Sequence, residues 1–188
     1  KIVARYQQYF GIKRLIERIS RTKFGGGREG GVIWHTTGSG KSFTMVFLSK
    51  AVILSDTLKQ CRIIVVTDRL DLEDQLSKTF LSGGEFAGKR DKQNAMATSG
   101  KRLAEQIGKG NERIIFSLVQ KFASATKLPE CFNASSDIIV LVDEGHRSQG
   151  GENHIRMKQA LPNAAFVAVT GTPLLKDEKT VNKFGPIV

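Results

Sequence analysis

The string Gly38-Ser39-Gly40-Lys41-Ser42 combines residue types suited to holding a polyphosphate. Glycines let successive backbone N–H groups turn toward an anion, the lysine adds a full positive charge, and the serine hydroxyl can ligate a hard cation. The loop begins at His35, runs through Thr36, Thr37, Gly38, Ser39 and Gly40, and closes on Lys41 and Ser42. The general pattern has glycine at the first of these positions, where this chain has His35. An apolar run, Gly31-Val32-Ile33-Trp34, precedes the loop, and a second, Phe43-Thr44-Met45-Val46-Phe47-Leu48, follows it. Strand, glycine loop and helix in that order point to a bound nucleotide, with Lys41 on the β- and γ-phosphates and Ser42 on Mg²⁺. A chance glycine-rich turn would have no reason to carry Lys-Ser at this offset.

A second element complements the first. Asp137-Ile138-Ile139-Val140-Leu141-Val142 reads as a strand buried on both faces, and it runs into Asp143-Glu144-Gly145-His146. Carboxylates at the carboxyl end of a buried strand lie where open α/β sheets place their ligands. Asp143 suits Mg²⁺ through its water shell, and Glu144 suits orienting or deprotonating an attacking water. An Asp-Glu pair alone is common surface chemistry. Joined to a phosphate loop it implies ATP hydrolysis.

These groups need elements to position them. Helical spacing of Tyr6, Tyr9, Phe10, Ile12, Leu15, Ile16 and Ile19 predicts a helix over Val3 to Ile19, followed by a loop ending in Gly25-Gly26-Gly27. The phosphate-loop strand and a helix to about Leu54 come next. A strand over Arg62 to Thr67 and a helix over Leu70 to Leu81 follow. Residues 82–98 are polar and glycine-rich, with at most a short strand near Ala95-Met96-Ala97. Ser99 can cap a helix over Lys101 to Ile107. Arg113 to Phe116 reads as a strand leading into a helical turn at Val119 to Phe122. Gly150-Gly151 suggests a loop before a helix from Asn153 to Leu161, and Ala164 to Val169 is the last strand. Strands alternating with helices predict one α/β domain over residues 1–188, a parallel sheet with helices on both faces.

Composition sets outer bounds. The 188 residues, 40% hydrophobic and 25% charged, suit one domain with a real core. No apolar run approaches the ~20 residues of a membrane span. Cys61 and Cys131 match no metal spacing and read as packed, reduced thiols of a cytosolic protein. Lys1 follows no signal-like segment and Gly185-Pro186-Ile187-Val188 ends just past a turn, so the expectation is a piece of a longer protein. The net charge of +11 suggests a polyanionic partner. Its cations concentrate at Lys13, Arg14, Arg18, Arg21, Lys23 and Arg28, and at Lys89, Arg90, Lys92, Lys101, Arg102, Lys109 and Arg113. Neither group is interleaved with aromatics, so phosphate contact fits better than base stacking. A basic face that pairs with acidic parts of a larger protein is the alternative.

Taken in order, several strings resemble the first RecA-like motor domain of superfamily 2 helicases and translocases. Within that group they are most similar to the motor (restriction) subunit of type I restriction-modification enzymes. The strings are Trp34-His35-Thr36-Thr37-Gly38-Ser39-Gly40-Lys41-Ser42, Asp68-Arg69-Leu70-Asp71-Leu72 with Gln75, Asp143-Glu144-Gly145-His146-Arg147-Ser148-Gln149, Thr170-Gly171-Thr172-Pro173-Leu174 and Phe184-Gly185. That family tolerates histidine at the start of the loop. Gly145 replaces the alanine of the commoner Asp-Glu-Ala-His form.

The resemblance implies a P-loop NTPase of RecA-like fold using ATP and Mg²⁺. By that likeness Lys41 and Glu144 are catalytic, and Arg5 and Gln8 match an Arg-x-x-Gln element that reads the adenine edge; an exposed glutamine on an amphipathic helix is the plain alternative. His146, Thr170 and Thr172 would couple γ-phosphate loss to the DNA side, although Thr170 and Thr172 could simply be a turn before Pro173. Thr67, Arg69, Gln120 and Lys121 fall where this group touches the DNA backbone, while Arg69 could instead pair with Asp71 or Asp74. Arg147 and Gln149 would face DNA or a neighbouring domain.

The likeness further implies a bacterial or archaeal cytoplasmic protein, associated with the nucleoid, whose nuclease domain lies upstream and whose second RecA-like domain supplies the arginine finger. Its partners would be double-stranded DNA and the methylation and specificity subunits. It would pump duplex DNA without separating strands, before cleavage by the nuclease. The readings to set against it are a repair unwindase, a nucleotide-gated DNA-binding module without turnover, and a small-molecule P-loop kinase.

Overall fold

The computed structural model describes residues 3–35, 40–68, 70–82, 93–143, 150–171 and 184–188. Five short aliphatic runs become the strands β1 (Gly31–Trp34), β2 (Arg62–Thr67), β3 (Ile114–Leu118), β4 (Ile138–Asp143) and β5 (Ala165–Thr170). They form one sheet in the order β1-β5-β4-β2-β3, and every pairing is parallel. Continuous Ile, Val and Phe suit such strands because side chains on both faces are covered; β3, β4 and β5 are buried along their whole length.

The helices are α1 (Tyr6–Ile19), α2 (Lys41–Leu54), α3 (Leu70–Ser82), α4 (Gly100–Lys109), α5 (Val119–Ala125) and α6 (Gly150–Ala160). Alternation along the strands sorts them onto two faces. Ile63, Val65, Ile139, Leu141, Val167 and Val169 share a core with Leu15 of α1, Met45 and Val52 of α2, and Leu76 and Phe80 of α3. Ile64, Val66, Val140, Val142, Phe166 and Ala168 face Leu103 and Ile107 of α4, Phe122 of α5 and Met157 of α6. Thus α2 leaves β1 toward one face and α6 leaves β4 toward the other, opening the carboxyl rim between them.

Arginines staple the opposite, amino-terminal rim. Arg62 donates to the carbonyls of Glu112 (3.1 Å), Ile107 (3.1 Å) and Gln106, two of these in the last turn of α4. Arg28 donates to the carbonyls of Ser136 (2.6 Å) and Ile19 (3.3 Å) and pairs with Asp137 at 2.9 Å. Cationic donors at helix C-termini satisfy carbonyls that have no partner inside the helix. At the outer edge of β1, Val32 N–H donates to Pro186 O and Val188 N–H to Val32 O, each at 3.0 Å. Gly30 permits that packing: a Cβ there would lie 2.1 Å from Phe166 O and 2.7 Å from Phe184 O.

Some details differ from the sequence-based expectations. The first helix starts at Tyr6 rather than Val3, and its buried face is Gln8, Ile12, Leu15 and Ile19, while Tyr6, Tyr9 and Phe10 are exposed. Gly150-Gly151 opens α6 instead of forming a loop ahead of it. The short strand near Ala95 to Ala97 is an isolated bridge from Met96 to Phe116. Ser99 caps α4 as expected, accepting from Arg102 N–H at 3.1 Å. Of the basic groups, Lys13, Arg14, Arg21, Lys23, Lys101 and Lys109 are exposed, Lys89, Arg90 and Lys92 lie outside the described residues, and the others are engaged by neighbours. Arg18 bonds Gly30 O and Glu29, Arg102 pairs with Glu112, and Arg113 donates to Lys59 O.

Candidate functional site

Two positions bracket the phosphate loop. His35 follows β1, and Gly40 opens α2 in the left-handed conformation, φ +93°. A side chain would be strained at that φ, so glycine is the residue that lets the chain turn sharply into the helix. Lys41 and Ser42 then occupy the first turn of α2, the end of a helix whose dipole favours an anion. Thr36, Thr37, Gly38 and Ser39 lie outside the described residues.

Behind the loop is a buried polar cluster. Gly40 O accepts Thr44 N–H at 3.0 Å, the Thr44 hydroxyl at 3.2 Å and the Gln8 amide at 3.3 Å. Thr44 Oγ1 also lies 2.9 Å from Gln8 Nε2 and 2.9 Å from His35 Nε2. The other end of Gln8, Oε1, accepts Arg5 N–H at 2.8 Å and caps α1. Gln8 is 4% exposed, so the alternative of a solvated surface glutamine does not hold. Arg5 is at the amino end of α1 with its side chain exposed. His35 is 7% exposed; burial first, and the nearby Lys41 charge second, push its pKa below the usual histidine value. The imidazole is therefore neutral at pH 7.

The acidic element shares this rim. Asp143 is the last residue of β4 and pairs in register with Val169, while Trp34 pairs with Thr170. One strand, β5, separates β4 from β1, so their carboxyl ends stand about 10 Å apart. Thr170 ends the intervening strand and accepts His35 N–H at 2.8 Å. Asp143 is 8% exposed and Ser42 is half-buried, offering hard oxygen donors on the same rim. No cluster of three or more His, Cys, Asp or Glu ligands occurs among the described residues. A hydroxyl and a carboxylate are hard oxygen donors of the kind Mg²⁺ accepts, since that ion keeps several waters and takes further ligands from phosphate oxygens. Glu144, His146, Arg147, Gln149 and Thr172 lie outside the described residues.

The residues expected to face DNA are distributed unevenly. Thr67 ends β2, is 1% exposed, and its hydroxyl finds no hydrogen-bond partner among the described residues. Gln120 is exposed and donates to Asp68 O at 3.3 Å. Lys121 is held by Glu73, which is 3% exposed on α3. Burial pushes the Glu73 carboxyl above the usual range, and Lys121 opposes that shift. Arg69 lies outside the described residues. Thr44 and Glu73 carry weight that their sequence context does not announce. The one signal for Thr44 is a hydroxyl four residues after the last loop glycine, one helical turn along.

Among known families, the SWI2/SNF2 ATPase family matches residues 7–188. The type I restriction enzyme HindI endonuclease subunit of Haemophilus influenzae is 37% identical over the whole of this chain, which covers 19% of that protein. The chain thus spans about a fifth of the length of the curated relatives it matches. The UvsW helicase of bacteriophage T4 superposes with a TM-score of 0.68 at 15% identity, covering 100% of this chain and 60% of that one. A nuclease-deletion mutant of the Type ISP restriction-modification enzyme LlaGI, solved with a DNA substrate mimic, gives 0.66 at 17% identity, covering 100% and 19%. The shared fold is a RecA-like parallel sheet.

Proposed function

Because this chain belongs to the SWI2/SNF2 ATPase family, we propose that it is the ATP-hydrolysing motor domain of a type I restriction endonuclease subunit. One observation carries the catalytic part of that reading. The described ends of the phosphate loop and the carboxylate of Asp143 lie on one rim of one sheet, separated by β5 alone.

On this reading the α2 N-terminus and Lys41 bind the phosphates, and Ser42 and Asp143 provide the protein oxygens for Mg²⁺. When bound, the cation neutralises charge on the β- and γ-phosphate oxygens. Glu144, next in sequence after Asp143, orients the attacking water or takes its proton. Gln8 and Arg5 stand at the adenine side, with the Gln8 amide exchanging a partner inside the protein for the base. Thr170 at the end of β5, with His146 and Thr172, reports γ-phosphate loss. Phosphoryl transfer needs further positive charge on its transition state, and a second RecA-like domain is the proposed source of an arginine finger.

The name of the Haemophilus relative supports placing this motor in a restriction enzyme. Duplex DNA would be the track, with Thr67, Arg69, Gln120, Lys121, Arg147 and Gln149 near its backbone. Methylation and specificity subunits would be the partners, and cleavage would belong to a separate nuclease domain. No described helix is long and apolar enough to cross a membrane.

The test is steady-state ATPase of the intact protein with and without duplex DNA, together with Lys41→Ala and Asp143→Asn. Stimulation by duplex DNA and loss of turnover in both variants are expected. Absence of turnover in the wild type would leave a nucleotide-gated binding module instead. Displacement of a triplex-forming strand without unwinding separates a duplex pump from an unwinding helicase.

A further inference from the structure

His35 replaces the glycine that usually opens this loop, yet its side chain turns inward, its Nε2 2.9 Å from a hydroxyl that is itself fully buried. Four polar groups share this small buried space. Gln8 Oε1 accepts Arg5 N–H, so Gln8 Nε2 is a donor, and it reaches Thr44 Oγ1 and Gly40 O. Gly40 O can only accept, and Thr44 N–H, the Gln8 amide and the Thr44 hydroxyl all converge on it. Thr44 Oγ1 accepts from Gln8 Nε2 and shares a hydrogen bond with His35 Nε2, whose direction depends on the imidazole tautomer.

The cluster fixes the loop at both ends. His35 N–H is bonded to Thr170 O of β5, while its ring is held by Thr44 of α2. Gly40 O takes hydrogen bonds from Thr44 N–H, the Thr44 hydroxyl and Gln8, locking the left-handed turn that aims the first N–H groups of α2. We propose that His35 and Thr44 are positioning residues for the nucleotide phosphates: the imidazole and hydroxyl clasp the two ends of the phosphate loop together, through one another rather than by touching ATP. The proposal rests on the ATPase reading above and deepens it. It gives the histidine a function that glycine at that position cannot perform, and it makes Thr44 the meeting point of α1, α2 and the β1–α2 loop.

The experiment measures the Kd of mant-ATP and the ATPase KM and kcat of the intact protein. Thr44→Val keeps the shape and removes the hydroxyl; Thr44→Ser keeps the hydroxyl. His35→Leu removes the ring nitrogen, and His35→Gln returns an amide that can donate or accept near the Nε2 position. Thr44→Val and His35→Leu should raise Kd and KM about tenfold with kcat changed less than twofold, the pattern of lost uniform binding. Thr44→Ser and His35→Gln should recover to within twofold of wild type. Kd values within twofold of wild type in the folded valine or leucine variant overturn the proposal, as does a lowered melting temperature with unchanged Kd. If Thr44→Val does not fold, the pair at position 35, on the other side of the same hydrogen bond, decides the question. Lys41→Ala separates the two levels. Should it leave ATP binding and turnover intact, the ATPase reading itself falls. Should it abolish turnover while the other variants match wild type, the positioning role alone falls.

Discussion

Lys121 Nζ lies 3.4 Å from each carboxylate oxygen of Glu73, and the pair joins helices on opposite faces of the sheet. Glu73 is in the first turn of α3 and Lys121 in the first turn of α5, so the bridge passes over the carboxyl ends of β2 and β3. A cation engaged in this way is a strut between two rim segments before it is a contact for any nucleic acid.

Removing the strut has a definite thermodynamic signature. Lys121→Met should destabilise the fold by about 2–3 kcal/mol, because a buried carboxylate loses its counter-charge. Adding Glu73→Gln should recover most of that loss, as read by urea unfolding. The pH dependence has a set sign. The Glu73 pKa is raised in the fold, so its contribution to stability is full below the unfolded value of about 4.5 and is lost as pH rises through the folded value. Lys121→Met should widen that window upward, and Glu73→Gln should erase it.

Arg62 makes a second forecast. Its fork binds three carbonyls, two of them in the final turn of α4, with Glu112 also nearby. Lysine has one nitrogen and cannot span that geometry. Arg62→Lys should cost about 2 kcal/mol in denaturant unfolding and loosen amide exchange first at the end of α4. An unchanged midpoint would mean the carbonyls are equally well served by water.

How far the sequence revealed these features depends on the range over which each acts. The strands were legible almost to the residue: Arg62 to Thr67 is β2 as expected, because a run of β-branched residues has few alternatives in an α/β chain. Serine capping at Ser99 was legible for the same local reason. Helix α1 is where the periodicity puts it, with Ile12, Leu15 and Ile19 inward as expected and a different residue buried in its first turn. Apolar spacing puts Tyr6, Tyr9 and Phe10 inside, while Gln8 is the residue buried, because its amide serves Arg5, Gly40 and Thr44. Thr44 passes as filler in an apolar run, and its role depends on His35, nine residues earlier. Glu73 and Lys121 are 48 positions apart, a separation at which charge pattern says nothing about pairing. The same blindness makes Arg18 and Arg28 look like a surface field when each has a backbone carbonyl to hold.

His35 gives a pH prediction whose sign follows from its depressed pKa, caused by burial first and Lys41 second. Unfolded histidine titrates near 6.5, and the folded group below that, so the unfolded chain binds more protons in between. Stability should therefore fall as pH drops below about 6.5 and level off beneath the folded value. Melting temperatures of the wild type and His35→Gln from pH 8 to pH 5 test this: the glutamine variant should show a shallower decline. Parallel curves would assign the acid sensitivity to other groups.

Cys131 supplies the last prediction. Its thiol is 1% exposed at the end of the Pro129–Cys131 turn, and burial raises its pKa to about 11. Cys61 is raised as well, by burial foremost, with Asp137 adding to the shift and Arg28 and Arg113 opposing it. The thiolate is the species that alkylates, so a shift from 9.0 to about 11 lowers the Cys131 thiolate fraction at pH 8 about a hundredfold, before access is considered. Iodoacetamide at pH 8 should leave both cysteines unmodified in the native protein and label both in urea, as read by peptide mass spectrometry. Rapid native labelling of Cys131 alone would show that the segment around Pro129 opens locally, at a free energy well below that of global unfolding.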